Sequence, residues 1–129
     1  MSRALTLSNI NLMTADMPEK VLAGHVQAFF RDLAAVCPGL WAYHTYDSRR
    51  SQDGMPDWLV ITPKGLWFLE LKGVRKRGIL GTISVIQQRV LGLLKVTPGL
   101  DPDRVLVVYP WDWPAIAERI AAECGVTLQ

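Results

Sequence analysis

The fold turns on residues 58–72, WLVITPKGLWFLELK. Two runs that are apolar at nearly every position flank Pro63-Lys64-Gly65, a turn-forming triplet, so the stretch is expected to fold as a β-hairpin with strands over 58–62 and 66–72. Strands apolar on both faces belong at the covered centre of a sheet. Charges are out of place there, because burying one unpaired costs on the order of several kcal/mol. Yet Glu70 and Lys72 lie in the second strand and Asp57 heads the first. Strand alternation puts Glu70 and Lys72 on one face while Leu69 and Leu71 point to the other, into the core. If the strands are hairpin neighbours, Asp57 reaches the same face beside Glu70.

Working outward, Asp16-Met17-Pro18-Glu19 reads as a helix start, with Asp16 able to cap, Pro18 in the first turn and Glu19 at the N3 position of a capping box. Leu22, Val26, Phe29, Phe30 and Leu33 follow at helical spacing, and the helix should span about 17–36, ending before Cys37-Pro38-Gly39. Residues 41–44 form a short candidate strand, followed by a polar loop over 45–56. Beyond the hairpin, the spacing of Val85, Ile86, Val90, Leu91 and Leu94 predicts a helix over 84–95. Residues 104–109 read as another buried strand, and Asp112-Trp113-Pro114 opens a last helix that turns Ile116 and Ile120 inward and closes near Gly125. The order α-β-β-β-α-β-α describes an α/β domain, a mixed sheet with helices on both faces. Nothing divides the chain, so 16–129 is read as one domain and 1–15 as an N-terminal arm; its apolar part, Leu5 to Met13, is a candidate interface or swapped element.

The 129 residues are 50% hydrophobic and 20% charged, a balance that excludes a disordered chain. No apolar run approaches the ~18 residues needed to span a bilayer, and polar residues interrupt the N-terminal stretch, so neither a membrane protein nor an export signal is expected. That points to a cytoplasmic protein. Cys37 and Cys124 lack partners at metal-ligand spacing and are expected as two reduced, packed thiols. The net charge of +2 is uneven: Arg49 to Lys95 carries nine Lys/Arg against three Asp/Glu, and the remainder five against nine. A polyanion would bind the middle of the chain. No Walker or Rossmann phosphate loop and no nucleophile elbow is present, which disfavours nucleotide-binding and serine-hydrolase readings.

Two carboxylates held that close repel unless something positive lies between them. An oxygen-only ligand set suits Mg²⁺, with Mn²⁺ able to substitute, better than zinc. Such an ion beside Lys72 meets the needs of phosphodiester hydrolysis: Asp57 and Glu70 bind the metal, and Lys72 holds the attacking water or the developing charge. A plain Glu70–Lys72 salt bridge is the alternative. Arg49, Arg50, Arg75, Lys76 and Arg77 flank the hairpin, in the right places to hold phosphates on either side of a scissile bond. His44 lacks a partner carboxylate at fixed spacing and reads as substrate-positioning or structural. Trp58 and Trp67 belong to the core, whereas Trp111 and Trp113 are open to either core packing or base stacking.

Gly54-Met-Pro-Asp57, followed after twelve residues by Glu70-Leu71-Lys72, resembles the signature of the PD-(D/E)xK nuclease superfamily. Ser84-Val-Ile-Gln87 and the stretch from His44 to Ser51 narrow the resemblance to the VRR-Nuc (virus-type replication-repair nuclease) family, over roughly residues 19–113. The resemblance implies a restriction-endonuclease-like sheet, Asp57 and Glu70 as metal ligands with the Leu71 carbonyl, Lys72 as the catalytic lysine, and Gln87 as a site residue reaching in from its helix. Ser84-x-x-Gln87 is also a plain capping box, and the two roles are compatible. An acidic residue facing the metals from the first helix falls on Glu19, or on His25 in a tighter alignment; helix capping is the competing role for Glu19. The family further implies a Mg²⁺-dependent endodeoxyribonuclease acting on branched DNA such as Holliday junctions or flaps, as a homodimer. The competing readings are a non-catalytic nucleic-acid-binding module with the same fold, and a restriction- or toxin-type nuclease subunit.

Overall fold

The hairpin dominates the computed structural model of the chain, which describes residues 3–5, 17–45, 54–75 and 78–128. Its strands, β3 (Trp58–Thr62) and β4 (Gly65–Leu71), pair antiparallel with Trp58 opposite Leu69 and Thr62 opposite Gly65. The turn is closed by the Thr62 hydroxyl oxygen, which accepts from the backbone N–H groups of Lys64 and Gly65, each at 3.1 Å. Preceding strand β2 (Trp41–His44) pairs antiparallel with β3, and β5 (Val105–Val108) runs parallel to β4, giving the order β2-β3-β4-β5 in a mixed four-stranded sheet. A parallel β4–β5 pair requires a crossover. Helix α2 (Val85–Lys95) supplies it, followed by a 3₁₀ turn over Pro102–Arg104 that the sequence reading did not anticipate.

Side-chain alternation sorts the sheet into two faces. Trp58, Val60, Trp67, Leu69, Leu71 and Val108 share one core with Leu22, Val26, Phe29, Phe30 and Leu33 of α1 (Glu19–Val36) and with Trp113, Ile116, Ala117 and Ile120 of α3 (Trp113–Glu123). Aromatic rings lock the layers together: Phe30 lies 4.8 Å from Trp58, and Phe29 meets Trp113 edge-on at 5.2 Å. Phe68 and Val105 point the other way, onto Leu91 of α2. The molecule is thus an α/β sheet with helices on both faces.

Two expectations need correction. Helix α1 begins at Glu19 with Pro18 as its N-cap and no side-chain cap, so Glu19 is not the N3 residue of a capping box; Asp16 lies outside the described residues. The apolar face expected on α2 is narrower than its spacing implied, with Leu91 buried but Val85 and Ile86 exposed. Ile86 and Val90 meet the loop at Gly54 rather than the sheet, which explains part of that loss. Beyond these, Arg3–Leu5 of the expected arm forms a strand, β1, parallel to a C-terminal strand β6 (Val126–Leu128) of the same chain, neither of them anticipated. The rest of that arm lies outside the described residues. Cys37 and Cys124 are both free and share the α1/α3 core, where burial and the neighbouring Cys37 thiol push Cys124 up to about 12.

At the turn end of the hairpin, a charged cluster ties α3 to the sheet. Glu123 accepts from Thr62 Oγ1 at 2.6 Å, Trp67 Nε1 at 2.9 Å and Arg104 Nη2 at 2.8 Å, and the Arg104 and Arg119 guanidinium groups lie over the Trp67 ring. Burial would raise the Glu123 carboxyl, but the hydrogen bonds from Arg104, Thr62 and Trp67 outweigh it and hold it below the usual carboxylate range. Stability from such a group is present above its ordinary pKa and lost as pH falls through the lowered one. Glu123→Ala is therefore expected to cost about 2 kcal/mol at pH 7 and markedly less at pH 3. Urea unfolding at the two pH values checks this; an equal cost at both would assign the loss to packing instead of charge.

Candidate metal centre

The hairpin register fixes the first part of the site. One step beyond the Trp58–Leu69 pair, the register brings Asp57 level with Glu70. Asp57 Oδ2 accepts from the Leu71 N–H at 2.7 Å, which pins the carboxylate across the end of β4. An extended residue directs its N–H and C=O to the same side, so the Leu71 carbonyl also faces Asp57. The Pro-Asp loop is held from behind by β2, where Thr45 donates its N–H to the Asp57 carbonyl at 2.9 Å and its hydroxyl to the Pro56 carbonyl at 3.3 Å. Gly54 completes that loop at φ +89°, and a Cβ there would fall 2.6 Å from the Ile86 side chain of α2.

Glycine also brings in the third carboxylate. Gly73 packs so closely under the start of α1 that a Cβ would lie 2.0 Å from the Glu19 nitrogen, while the Val74 N–H donates to the Met17 carbonyl at 2.9 Å. Helix α1 is thereby docked end-on against the strand, and Glu19 faces the hairpin carboxylates. Glu19, Asp57 and Glu70 each offer an oxygen, all within 4.8 Å of one another. The Lys72 ammonium lies 3.7 Å from Glu70 Oε1 and 4.0 Å from Glu19 Oε1. Gln87 Nε2 donates to Glu70 Oε1 at 2.9 Å from α2, while its Oε1 accepts from Ser84 and its backbone N–H donates to the Ser84 hydroxyl. Capping and site contact coexist in Gln87.

Glu70 is 2% exposed, and its Oε2 is buried with no hydrogen-bond partner among the described residues. Burial, chiefly, and the adjacent Asp57 push its pKa up to about 8, with Lys72 opposing. Burial likewise raises Glu19, again opposed by Lys72. An orphaned carboxylate oxygen beside two more carboxylates is an all-oxygen donor set of the kind that hard divalent cations occupy. The residues present therefore fit a hard divalent cation.

Two recesses meet at Glu19. The larger, about 320 Å³, is lined by Lys20, Ala23, His44, Thr45, Asp57 and Leu71 as well as Glu19. The smaller, about 140 Å³, is formed by Pro18, Glu19, Lys72, Gly73, Val74, Arg75 and Gly81. Of the sequence-predicted site residues, Asp57, Glu70, Leu71, Lys72, Gln87 and Glu19 converge, with His44 and Arg75 beside them. His25 is not in the carboxylate group. Arg49, Arg50, Lys76 and Arg77 lie outside the described residues. His44 stacks on Trp58 at 4.6 Å, and burial holds its imidazole below its ordinary pKa although Asp57 pulls the other way. Lys20, which also lines the larger recess, is not among the residues singled out from the sequence; its position one residue after Glu19 was the available signal. No family model matches the chain, and no curated protein or solved structure matches it significantly.

The Glu70 environment makes a pH prediction. A carboxyl raised in the folded state contributes stability that is complete below its ordinary pKa and is lost as pH rises through the raised one, here about 8. Metal-free protein should weaken between pH 5 and 9, and Glu70→Gln should be the more stable form at pH 9 by roughly a few kcal/mol. Thermal melts in EDTA decide it: a wild-type melting temperature flat across this range, with no gain in the variant, would contradict the burial argument.

Proposed function

We propose that this chain is a divalent-cation-dependent endonuclease of the PD-(D/E)xK kind, hydrolysing phosphodiester bonds in branched or flapped DNA. The observation that carries the reading is the buried Glu70, joined by Asp57 and Glu19 within 4.8 Å and faced by the Lys72 ammonium at 3.7 Å. A mixed sheet with helices on both faces supports a restriction-endonuclease-like fold. The retained charge argues against a binding module without chemistry, since a site with no reaction to perform would gain by replacing buried ions with apolar groups.

In this reading Asp57, Glu70 and the Leu71 carbonyl hold the cation, with Glu19 closing the set. When bound, the ion polarises a phosphoryl oxygen and lowers the pKa of water. Lys72 orients the attacking water and stabilises charge developing on the phosphate. Gln87 fixes the rotamer of Glu70 through its amide. Arg75 and Lys20, in separate recesses beside Glu19, hold phosphates on either side of the scissile bond. His44, which lines the larger recess beside Asp57, positions substrate. A symmetric dimer belongs to the same reading, because two sites related by a two-fold axis suit cutting two strands of a four-way junction.

The test is cleavage of labelled four-way junction, flap, duplex and single-stranded DNA in Mg²⁺, Mn²⁺ or EDTA. Metal-dependent cutting should fall at least ~100-fold in both Lys72→Ala and Glu70→Gln. Mg²⁺ should also raise the melting temperature of wild type and not of Glu70→Gln, which reads the metal without activity. Binding without cutting, indifferent to either substitution, would move the reading to a non-catalytic binding module.

A further inference from the structure

Trp113 and Trp111 part company in the structure. Trp113 is 1% exposed in the α1/α3 core, whereas Trp111 is 45% exposed. The exposed ring is not loose: it stacks face to face on Tyr109 at 4.9 Å with an interplanar angle of 2°. The turn carrying it is tied at both ends, with Asp112 Oδ2 accepting from the Tyr109 N–H at 3.0 Å and the Asp112 N–H donating to the Tyr109 carbonyl at 2.9 Å. Pro110 between them is buried. An indole fixed in this way presents its free face at little entropic cost.

Its position follows from the parallel register. Leu71 pairs with Val108, and the Lys72 N–H donates to the Val108 carbonyl at 2.9 Å, so Tyr109 takes the next place beside Lys72, about one strand spacing (~5 Å) away. The Tyr109 hydroxyl donates to the Gly81 carbonyl at 2.7 Å, and Gly81 forms the wall of the small recess with Lys72, Glu19 and Arg75. Carboxylates, lysine, arginine, tyrosine and tryptophan thus follow one another across the C-terminal edge of β4 and β5.

We infer that Trp111 is a stacking platform for an unpaired nucleobase at the Lys72 side of the cleft, so that the strand being cut is single-stranded there. The inference rests on the nuclease reading and narrows its substrate class. In duplex nucleic acid each base already stacks on its neighbours and its π-face is covered. Only an unpaired or splayed base offers a free face to an indole, and a cation such as Arg75 beside the path holds the adjoining phosphate. The interaction is indifferent to base identity, because every base has a π-face.

The experiment compares wild type, Trp111→Ala and Trp111→Phe for binding to fluorescein-labelled single-stranded DNA, single-stranded RNA and blunt duplex in EDTA, and for Mg²⁺-dependent cleavage of flap and duplex. Trp111→Ala should weaken binding to both single strands by about tenfold, leave the duplex unchanged, and raise KM on the flap more than it lowers kcat. Trp111→Phe should restore most of the affinity, and unlabelled oligonucleotide should quench tryptophan emission in wild type more than in Trp111→Ala. A wild-type preference between the DNA and RNA arms identifies which strand the platform serves. Unchanged single-strand binding in Trp111→Ala, or an equal loss on duplex, overturns the platform. If wild type still cuts in Mg²⁺ in that case, only this inference falls. A wild type that binds and cuts nothing removes the nuclease reading with it.

Discussion

Burying Glu70 is the constraint around which the rest is arranged. A carboxylate sealed in the middle of a sheet is unfavourable unless positive groups and donors surround it. Lys72, just past the end of β4, and Gln87 of α2 supply them, but four groups in all gather at Glu70, the others being Asp57 ahead of β3 and Glu19 of α1. Two of these four are themselves acids, which deepens the local excess of negative charge instead of relieving it. Fold and site are therefore not separable, because the elements that bury Glu70 are also those that gather its partners.

Each end of the hairpin meets a glutamate, Glu70 fully buried and Glu123 of α3 only partly so, and they differ instructively. Glu123, near the turn, has both oxygens satisfied by Thr62, Trp67 and Arg104, and is held below the usual carboxylate range. Glu70, at the open end, keeps one oxygen bare and is held well above it. A satisfied carboxylate is a clasp between α3 and the sheet. An unsatisfied one, gathered with two further carboxylates within 4.8 Å, is the part of the sheet whose charge its own hydrogen bonds do not balance.

Much of this was legible in the residues. Continuous apolar runs around Pro63-Lys64-Gly65 specified the hairpin, and alternation then put Asp57 across from Glu70 without further information. The place of Glu19 was harder. Its helix start was read from the local pattern Asp16-x-x-Glu19, whereas the observed start is set by a tertiary contact, the close approach of α1 to Gly73, that no local pattern encodes. The short β1–β6 ribbon was illegible for a related reason, since three-residue strands show no usable alternation. Helical spacing in α2 marked a face correctly but not how wide a surface that face would meet, and so Val85 and Ile86 emerged exposed.

The capping box at the head of α2 has a consequence for which sequences this fold can accept. Local helix energetics treat glutamine and glutamate at the third position as near equivalents, because either side chain can reach back to the cap nitrogen. Here the same side chain turns its other end toward Glu70, and its Nε2 is the only group among its polar atoms that can donate there. Glutamate at position 87 would satisfy the helix and set a fourth acid against three. A substitution that looks silent to secondary structure is thus forbidden by charge, and two unrelated selections, one for a helix start and one for a carboxylate's neighbour, settle on a single amide.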